Sequence, residues 1–111
     1  MTVVSSEPDR LLFEAVTPLG SSVRVTAERW GLIIAAKHPV MKGREGDVQT
    51  ALEAPDEVRQ SRIDPRVLLF YKAEARRRWT CAVTKHLADS AFLITAYPTD
   101  AIKEGVRIWP K

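Results

Sequence analysis

Two short segments of the sequence carry the side chains best suited to proton transfer and to the binding of phosphate. Lys37 and His38 stand before Pro39, and Thr95 and Tyr97 alternate near the C-terminal end. An imidazole exchanges protons near neutral pH, while ammonium and hydroxyl groups donate hydrogen bonds to phosphate oxygens. Together the two segments predict a site that handles phosphate esters without a metal ion.

The region between these segments adds cations and another hydroxyl. Arg59 and Ser61 are two residues apart in a polar segment that alternates like a β-strand, so they share one face of it. If the apolar faces of the sheet pack on helices, these groups meet the two hydroxyls of the later strand on the opposite face. We expect Lys72 to join them from the end of the intervening apolar strand.

His38 is central to this hypothesis and has two interpretations. At the C-terminal end of a predicted helix, the dipole favours its imidazolium form by about 0.3–1 kcal/mol, and Lys37 opposes this by like-charge repulsion. The residue is either a general acid–base group or a structural histidine, which caps its own helix or packs beside Trp30 and Ile34. His86 is expected on an exposed rim. Because the two histidines are far apart, with no carboxylate at ligand spacing, no metal site and no cofactor are predicted.

A basic run from Arg76 to Arg78 precedes Trp79 and has the composition of a segment that contacts a nucleic-acid backbone. The alternative is a solvated loop between strands. The glycines are scattered and form no phosphate-binding loop, and Ser61 lacks the glycine context of a hydrolase nucleophile.

Length and composition indicate one domain with a core of its own. The chain has 111 residues, of which 45% are hydrophobic and 28% are charged. We predict a single domain over residues 1–111, with an ordered core over about 10–109 and a frayed polar segment near the N-terminus, at about 2–9. Cys81 is the only cysteine, which excludes an internal disulfide, and we expect it in the core.

Charge and hydropathy set the expected location and partners. The formal net charge is +3, which is compatible with a polyanionic partner. The N-terminal residues lack the basic and apolar regions of a signal peptide, and no apolar run reaches the ~20 residues that span a bilayer. We therefore expect a cytoplasmic location and no membrane partner. These features do not predict an oligomeric state.

Apolar spacing predicts the elements that position these residues. A hairpin covers roughly 11–16 and 23–26, a helix capped by Thr26 ends before Pro39, and a second helix covers roughly 44–53. Beyond it the period changes to two, which predicts strands at about 58–62, 66–72, 79–87 and 91–97, followed by a polar tail. The predicted fold is α+β, with the N-terminal hairpin and the two helices packed on one face of an antiparallel sheet of about four strands.

Several segments also carry a resemblance to a known family. They are Lys37-His38-Pro39, Pro55 to Ser61, Leu69 to Lys72, Thr95 to Asp100, and Gly105 with Trp109. In these segments the chain resembles a family of small prokaryotic domains grouped with the barnase–EndoU–colicin–RelE superfold of metal-independent ribonucleases and toxins.

The resemblance implies an active site on the exposed side of the sheet, where a base activates the ribose 2′-hydroxyl and a 2′,3′-cyclic phosphate forms. It implies that His38 transfers the proton and that Arg59 and Lys72 neutralise the phosphate, with Tyr97 as a further catalytic residue. The expected substrate-binding residues are Lys37, Ser61, Thr95 and Arg77.

The function expected from sequence is therefore a metal-independent endoribonuclease with RNA as its substrate. If it is the toxin of a toxin–antitoxin pair, an antitoxin-like protein is its partner. The alternative is a non-catalytic module that binds RNA or a protein on the same face of the sheet, because a fold does not fix a function.

Overall fold

Seven strands join in one mixed sheet in the computed structural model, which describes residues 10–88 and 90–111. The segment expected to fray lies outside the described residues. Across the sheet, the first and second strands are followed by the sixth, fifth, fourth, third and seventh. In chain order the strands are β1 (Leu11–Val16), β2 (Ser22–Thr26), β3 (Glu57–Gln60), β4 (Val67–Ala75), β5 (Arg78–His86), β6 (Ala91–Thr99) and β7 (Val106–Trp109).

A short helix follows the N-terminal hairpin. α1 (Ala27–Leu32) is capped by Thr26, whose hydroxyl accepts a hydrogen bond from the Arg29 N–H at 3.2 Å. The helix continues as a π-helical turn over Ile33–Lys37, and a 3₁₀ turn over Pro39–Met41 comes next. None of the helices in the described ranges is long and apolar enough to cross a membrane.

A second helix, α2 (Glu45–Glu53), packs its apolar stripe on one face of the sheet. Val48, Ala51 and Leu52 recur at the spacing read from the sequence and are fully buried. They belong to one core with side chains of the central strands, among them Phe70 of β4 and Leu93 of β6. The second predicted helix is therefore confirmed, and we call this side of the sheet the inner face.

The predicted sheet is wrong in strand number and in type, although the α+β class holds. About four antiparallel strands were expected, whereas the sheet has seven strands of mixed direction, with only two short α-helices in the described residues. The hairpin does not pack on the sheet but extends it, because Val23 and Arg24 of β2 pair in parallel with Ala91 and Phe92 of β6. The expected polar tail contains β7, which pairs with β3.

The other side of the sheet, which we call the outer face, carries a smaller apolar cluster. Leu69, Tyr71, Cys81 and Val83 are buried there, so the middle of β4 and β5 is buried on both faces. The segment between β6 and β7 adds Ile102 to this cluster. The polar groups of the outer face are therefore found towards the margins of this cluster, near β3 and β6.

Candidate functional site

His38 reaches the outer face because the helix before it ends in a widened turn. The His38 N–H donates to the carbonyl of Ile33 at 2.7 Å, five residues back, instead of four as in an α-helix. Pro39 then disfavours the α conformation at His38, whose φ and ψ are −138° and 78°. The imidazole leaves the helix and lies half-buried beside β6.

Two hydroxyl groups of β6 lie on the same side as this imidazole. Thr95 and Tyr97 are on the outer face, while Ala96 between them is buried in the inner core. A register shift in the pairing of β5 with β6 leaves Ile94 as an extra residue, so that Leu93 stays in the inner core and Thr95 still faces outward.

One cleft collects four of the residues expected from sequence. Its volume is about 440 Å³, within the range of small-molecule sites. Val67, Leu69 and Val83 give it an apolar lining. The candidate residues that line it are His38, Ser61, Thr95 and Tyr97. Because they come from a helix end, from the residue after β3 and from β6, which are distant in sequence, the fold itself brings them together.

The polar groups of the cleft are close to one another, and one of them has no partner. The rings of His38 and Tyr97 are 5.3 Å apart between centroids, with a tilt of 43°. Thr95 Oγ1 is buried without a hydrogen-bond partner among the described residues. Leaving a buried hydroxyl unpaired is costly, so this group marks a position that a ligand oxygen or a water molecule would satisfy.

Burial keeps the groups beneath the cleft uncharged over a wider pH range than usual. It raises the pKa of the Tyr97 phenol well above its usual value, and the neighbouring Cys81 thiol raises it further. Burial also raises the pKa of the Cys81 thiol to about 12. At neutral pH Tyr97 is therefore an uncharged hydrogen-bond donor, and Cys81, which is fully buried, has no thiolate to act as a nucleophile.

Ser61 and Arg59 lie on the expected face, but the protein itself engages both. Ser61 Oγ accepts hydrogen bonds from the backbone N–H groups two and three residues on, at 3.1 and 3.3 Å. Its own hydroxyl proton is left to donate. Arg59 donates from Nε to Glu57 at 2.7 Å and from Nη1 to the Gly105 carbonyl at 3.0 Å. It is outside the described residues that line the cleft.

Three further candidate cations also lie outside the cleft lining. Lys72 lies on the inner side of β4, where its Nζ is 3.8 Å from Asp56 Oδ1 and its neighbours include residues of α2. Arg77 is in the tight turn between β4 and β5, with a φ of 55°. Lys37 ends the π-helical turn and is exposed next to His38.

Sequence reasoning missed Glu104, which lines the cleft together with His38. Glu104 and Ser61 also line an adjoining groove of about 350 Å³, to which Arg62 and Lys103 contribute positive charge. In the sequence, the feature that could have indicated an ordered segment at Glu104 is the glycine that follows it. Gly105 has a φ of +80° and approaches β3 closely, so the expected tail is a fixed segment of the sheet surface.

Within the described part of the chain, no group of three or more His, Cys, Asp or Glu side chains is placed to hold a metal ion. Comparisons of the chain with protein-family models, with curated proteins and with solved structures found no match. The resemblance to the barnase–EndoU–colicin–RelE superfold stays a prediction, and the geometry of the cleft is the basis for assigning a function.

Proposed function

We propose that the protein is a metal-independent endoribonuclease whose active site is the cleft on the outer face. The observation that carries this proposal is that His38, Tyr97 and Thr95 line one cleft large enough to hold part of a nucleotide chain. The cleft offers a half-buried imidazole, a carboxylate and neutral hydroxyl donors. These groups suit the transfer of a phosphoryl group to the ribose 2′-oxygen.

Cleavage by the 2′-hydroxyl involves two proton transfers. The 2′-oxygen loses its proton as the 2′-O–P bond forms, and the 5′-oxygen gains one as the P–O5′ bond breaks, which leaves a 2′,3′-cyclic phosphate. We assign Glu104 as the base and His38 as the acid. Tyr97 and Thr95 donate hydrogen bonds to the non-bridging oxygens, where negative charge grows in the transition state.

Positive charge reaches the cleft from its rim. Arg62 and Lys103 line the adjoining groove, and Lys37 is exposed beside the imidazole. These cations are available to the phosphates that flank the scissile bond. The resemblance assigns Arg59 and Lys72 to the scissile phosphate. Arg59 is held by Glu57, so its part in this mechanism is secondary, and Lys72, on the inner side of β4, has no part in it.

Cleavage of a labelled mixed-sequence RNA in the presence of EDTA tests the proposal. We expect products with 2′,3′-cyclic phosphate ends, identified by mass spectrometry. His38→Ala and Glu104→Gln should each lower kcat by about 10²-fold or more, the usual contribution of a general acid or base. His86→Gln is the matched control, since His86 lies outside the cleft lining. Activity that survives the double substitution His38→Ala/Tyr97→Phe would refute this site.

A non-catalytic RNA- or protein-binding module is the second candidate. It is favoured by the engagement of Arg59 with Glu57 and with the Gly105 carbonyl, which leaves the described cleft lining without an arginine. This function predicts affinity without turnover. RNA that binds with a salt-dependent Kd and is recovered intact would favour it, whereas a rate that varies with pH through His38 would favour the enzyme.

Expression in a bacterial host tests the more specific form of the first proposal, a toxin with an antitoxin-like partner. A toxin of this kind should arrest growth when induced. His38→Ala should relieve the arrest at equal protein abundance. Arrest that persists in the variant would separate toxicity from the proposed site.

A further inference from the structure

The outer face of β6 carries two aromatic rings, and a basic side chain of the helical segment lies beside each of them. His38 is next to Tyr97, and Arg29 Cζ lies 5.8 Å from the centroid of Phe92. Phe92 faces outward because the residues on either side of it are buried in the inner core. The Arg29–Phe92 contact is at the outer limit of a cation–π interaction, so it leaves both groups available to a ligand.

A second guanidinium group lies at the same place. Arg24 of β2 is the register partner of Phe92, and its side chain is exposed because both of its neighbours are buried on the inner face. Arg24, Arg29 and Phe92 line a groove of about 460 Å³. Glu14 is opposite Arg24 on β1, but its carboxylate accepts a hydrogen bond from a serine hydroxyl. In the described residues, neither guanidinium forms an ion pair.

The separation of the two rings suits an oligonucleotide. Phe92 and Tyr97 are five residues apart on a strand, or roughly 16 Å at 3.3 Å per residue. Arg29 and His38 are nine residues apart on the helical segment, or roughly 14 Å at 1.5 Å per residue. A stacked nucleotide strand advances about 3.4 Å per nucleotide, so about four or five nucleotides cover this span.

We infer that Phe92, Arg24 and Arg29 form a second subsite, which binds single-stranded RNA several nucleotides from the phosphate that is cleaved in the cleft. The inference rests on the proposed function for the identity of the ligand and specifies the form of RNA that the site takes. A base stacks on Phe92, and the two guanidinium groups contact the flanking phosphates. Duplex RNA offers no unstacked base and is a poor ligand.

Binding of a fluorescein-labelled hexanucleotide tests the subsite by fluorescence anisotropy. The probe is 2′-O-methylated throughout, so that it lacks the attacking hydroxyl. Phe92→Leu keeps an apolar side chain but removes the ring face, and should raise Kd by about tenfold. Arg24→Gln/Arg29→Gln should reduce the slope of log Kd against log salt by about 1.4, because each single-strand phosphate contact contributes about 0.7.

A matched double variant controls for the loss of charge. Lys42→Gln/Arg107→Gln removes two exposed cations that are not among the described residues lining the cleft or the groove at Phe92. This variant should leave the salt slope within about 0.3 of the wild type. An equal loss of slope in this control would overturn the subsite. An unchanged Kd in Phe92→Leu, equal affinity for a duplex of the same sequence, or no binding of any strand would overturn it too.

Cleavage assays separate the fate of the subsite from that of the active site. The substrates are a dinucleotide and a hexanucleotide, of which only the hexanucleotide reaches Phe92. Phe92→Leu should lower the ratio of kcat/KM for the hexanucleotide to kcat/KM for the dinucleotide by about tenfold. If the ratio does not change while both are cleaved, the subsite is wrong and the ribonuclease stands. If neither is cleaved but the methylated probe binds through Phe92, the ribonuclease is wrong and the subsite stands.

Discussion

Replacement of Gly105 by alanine tests how the segment that carries Glu104 is anchored to the sheet. A Cβ built on Gly105 meets the Gln60 carbonyl oxygen at 2.5 Å and the Cβ of Arg59 at 3.3 Å, and the φ of +80° is one that L side chains rarely adopt. The Gly105 carbonyl also accepts the hydrogen bond from Arg59 Nη1. Alanine should therefore push the segment away from β3 and weaken this bond.

Four contributions set the expected loss of stability. A left-handed backbone costs a residue with a Cβ about 1–2 kcal/mol. Overpacking against backbone costs about 1–3 kcal/mol, and the weakened hydrogen bond adds up to about 1 kcal/mol. Alanine lowers the entropy of the unfolded chain, which offsets about 0.4–1 kcal/mol. We expect Gly105→Ala to lower the free energy of unfolding by about 1–6 kcal/mol, the sum of these terms.

Equilibrium denaturation in urea measures this loss, and Gly43 provides the matched control. Gly43 has a φ of +81°, but no heavy atom of the described residues lies within 4 Å of a Cβ built on it. Gly43→Ala should therefore lose only the conformational difference, about 0–1.5 kcal/mol. Equal destabilisation by the two substitutions would refute the argument that the close approach to β3, rather than φ alone, requires glycine at position 105.

Two further predictions concern stability. Burial lowers the pKa of His86, whose Nε2 is 2.9 Å from Thr84 Oγ1, so the unfolded state binds a proton more readily. The free energy of unfolding should be at its full value above the ordinary histidine pKa of about 6.5 and should fall as the pH drops through that value. Urea titrations at a series of pH values should show a shallower fall for His86→Gln. Identical pH profiles for the two proteins would contradict this prediction. Arg44→Ala should lower the free energy of unfolding, measured by thermal denaturation, by about 1–3 kcal/mol. The reason is that the buried Thr80 hydroxyl, in a residue 1% exposed, loses the hydrogen bond that Arg44 Nη2 donates to it at 3.1 Å. The exposed-residue control Ile63→Ala should change stability by less than about 0.5 kcal/mol, and equal losses would contradict the stabilising effect of the Arg44–Thr80 hydrogen bond.

Local patterns predicted the elements well where one segment holds all the relevant information. The Thr26 cap, the stop at Pro39 and the apolar stripe of α2 all depend on residues within a turn or two of each other. β7 was missed because its four residues follow a charged segment and its strand conformation depends on pairing with β3. The parallel pairing of β2 with β6 also joins segments distant in sequence, which no local pattern reports.

The candidate site shows the same division between local and long-range information. Alternation placed Thr95 and Tyr97 on the outer face, and the bulge at Ile94 did not disturb them because it precedes both residues. The same alternation places Lys72 on the inner face with Phe70. The expectation that Lys72 would reach the outer face from the end of its strand is therefore wrong. Glu104 depends on the path of a loop over the sheet, which only the backbone geometry of Gly105 indicates.

The pairing between β2 and β6 explains why the cleft and the second groove occur on the same strand. β2 pairs with β6 at two positions, Ala91 and Phe92, and ends at Thr26, the N-cap of α1. Within residues 10–88 and 90–111, no strand pairs with the rest of the β6 edge on that side, and the helical segment from α1 through the π-helical turn packs there instead. A helix at a sheet edge can present side chains to both faces. This is why its first turn sets Arg29 beside Phe92, and why the residue after its last turn sets His38 beside Tyr97.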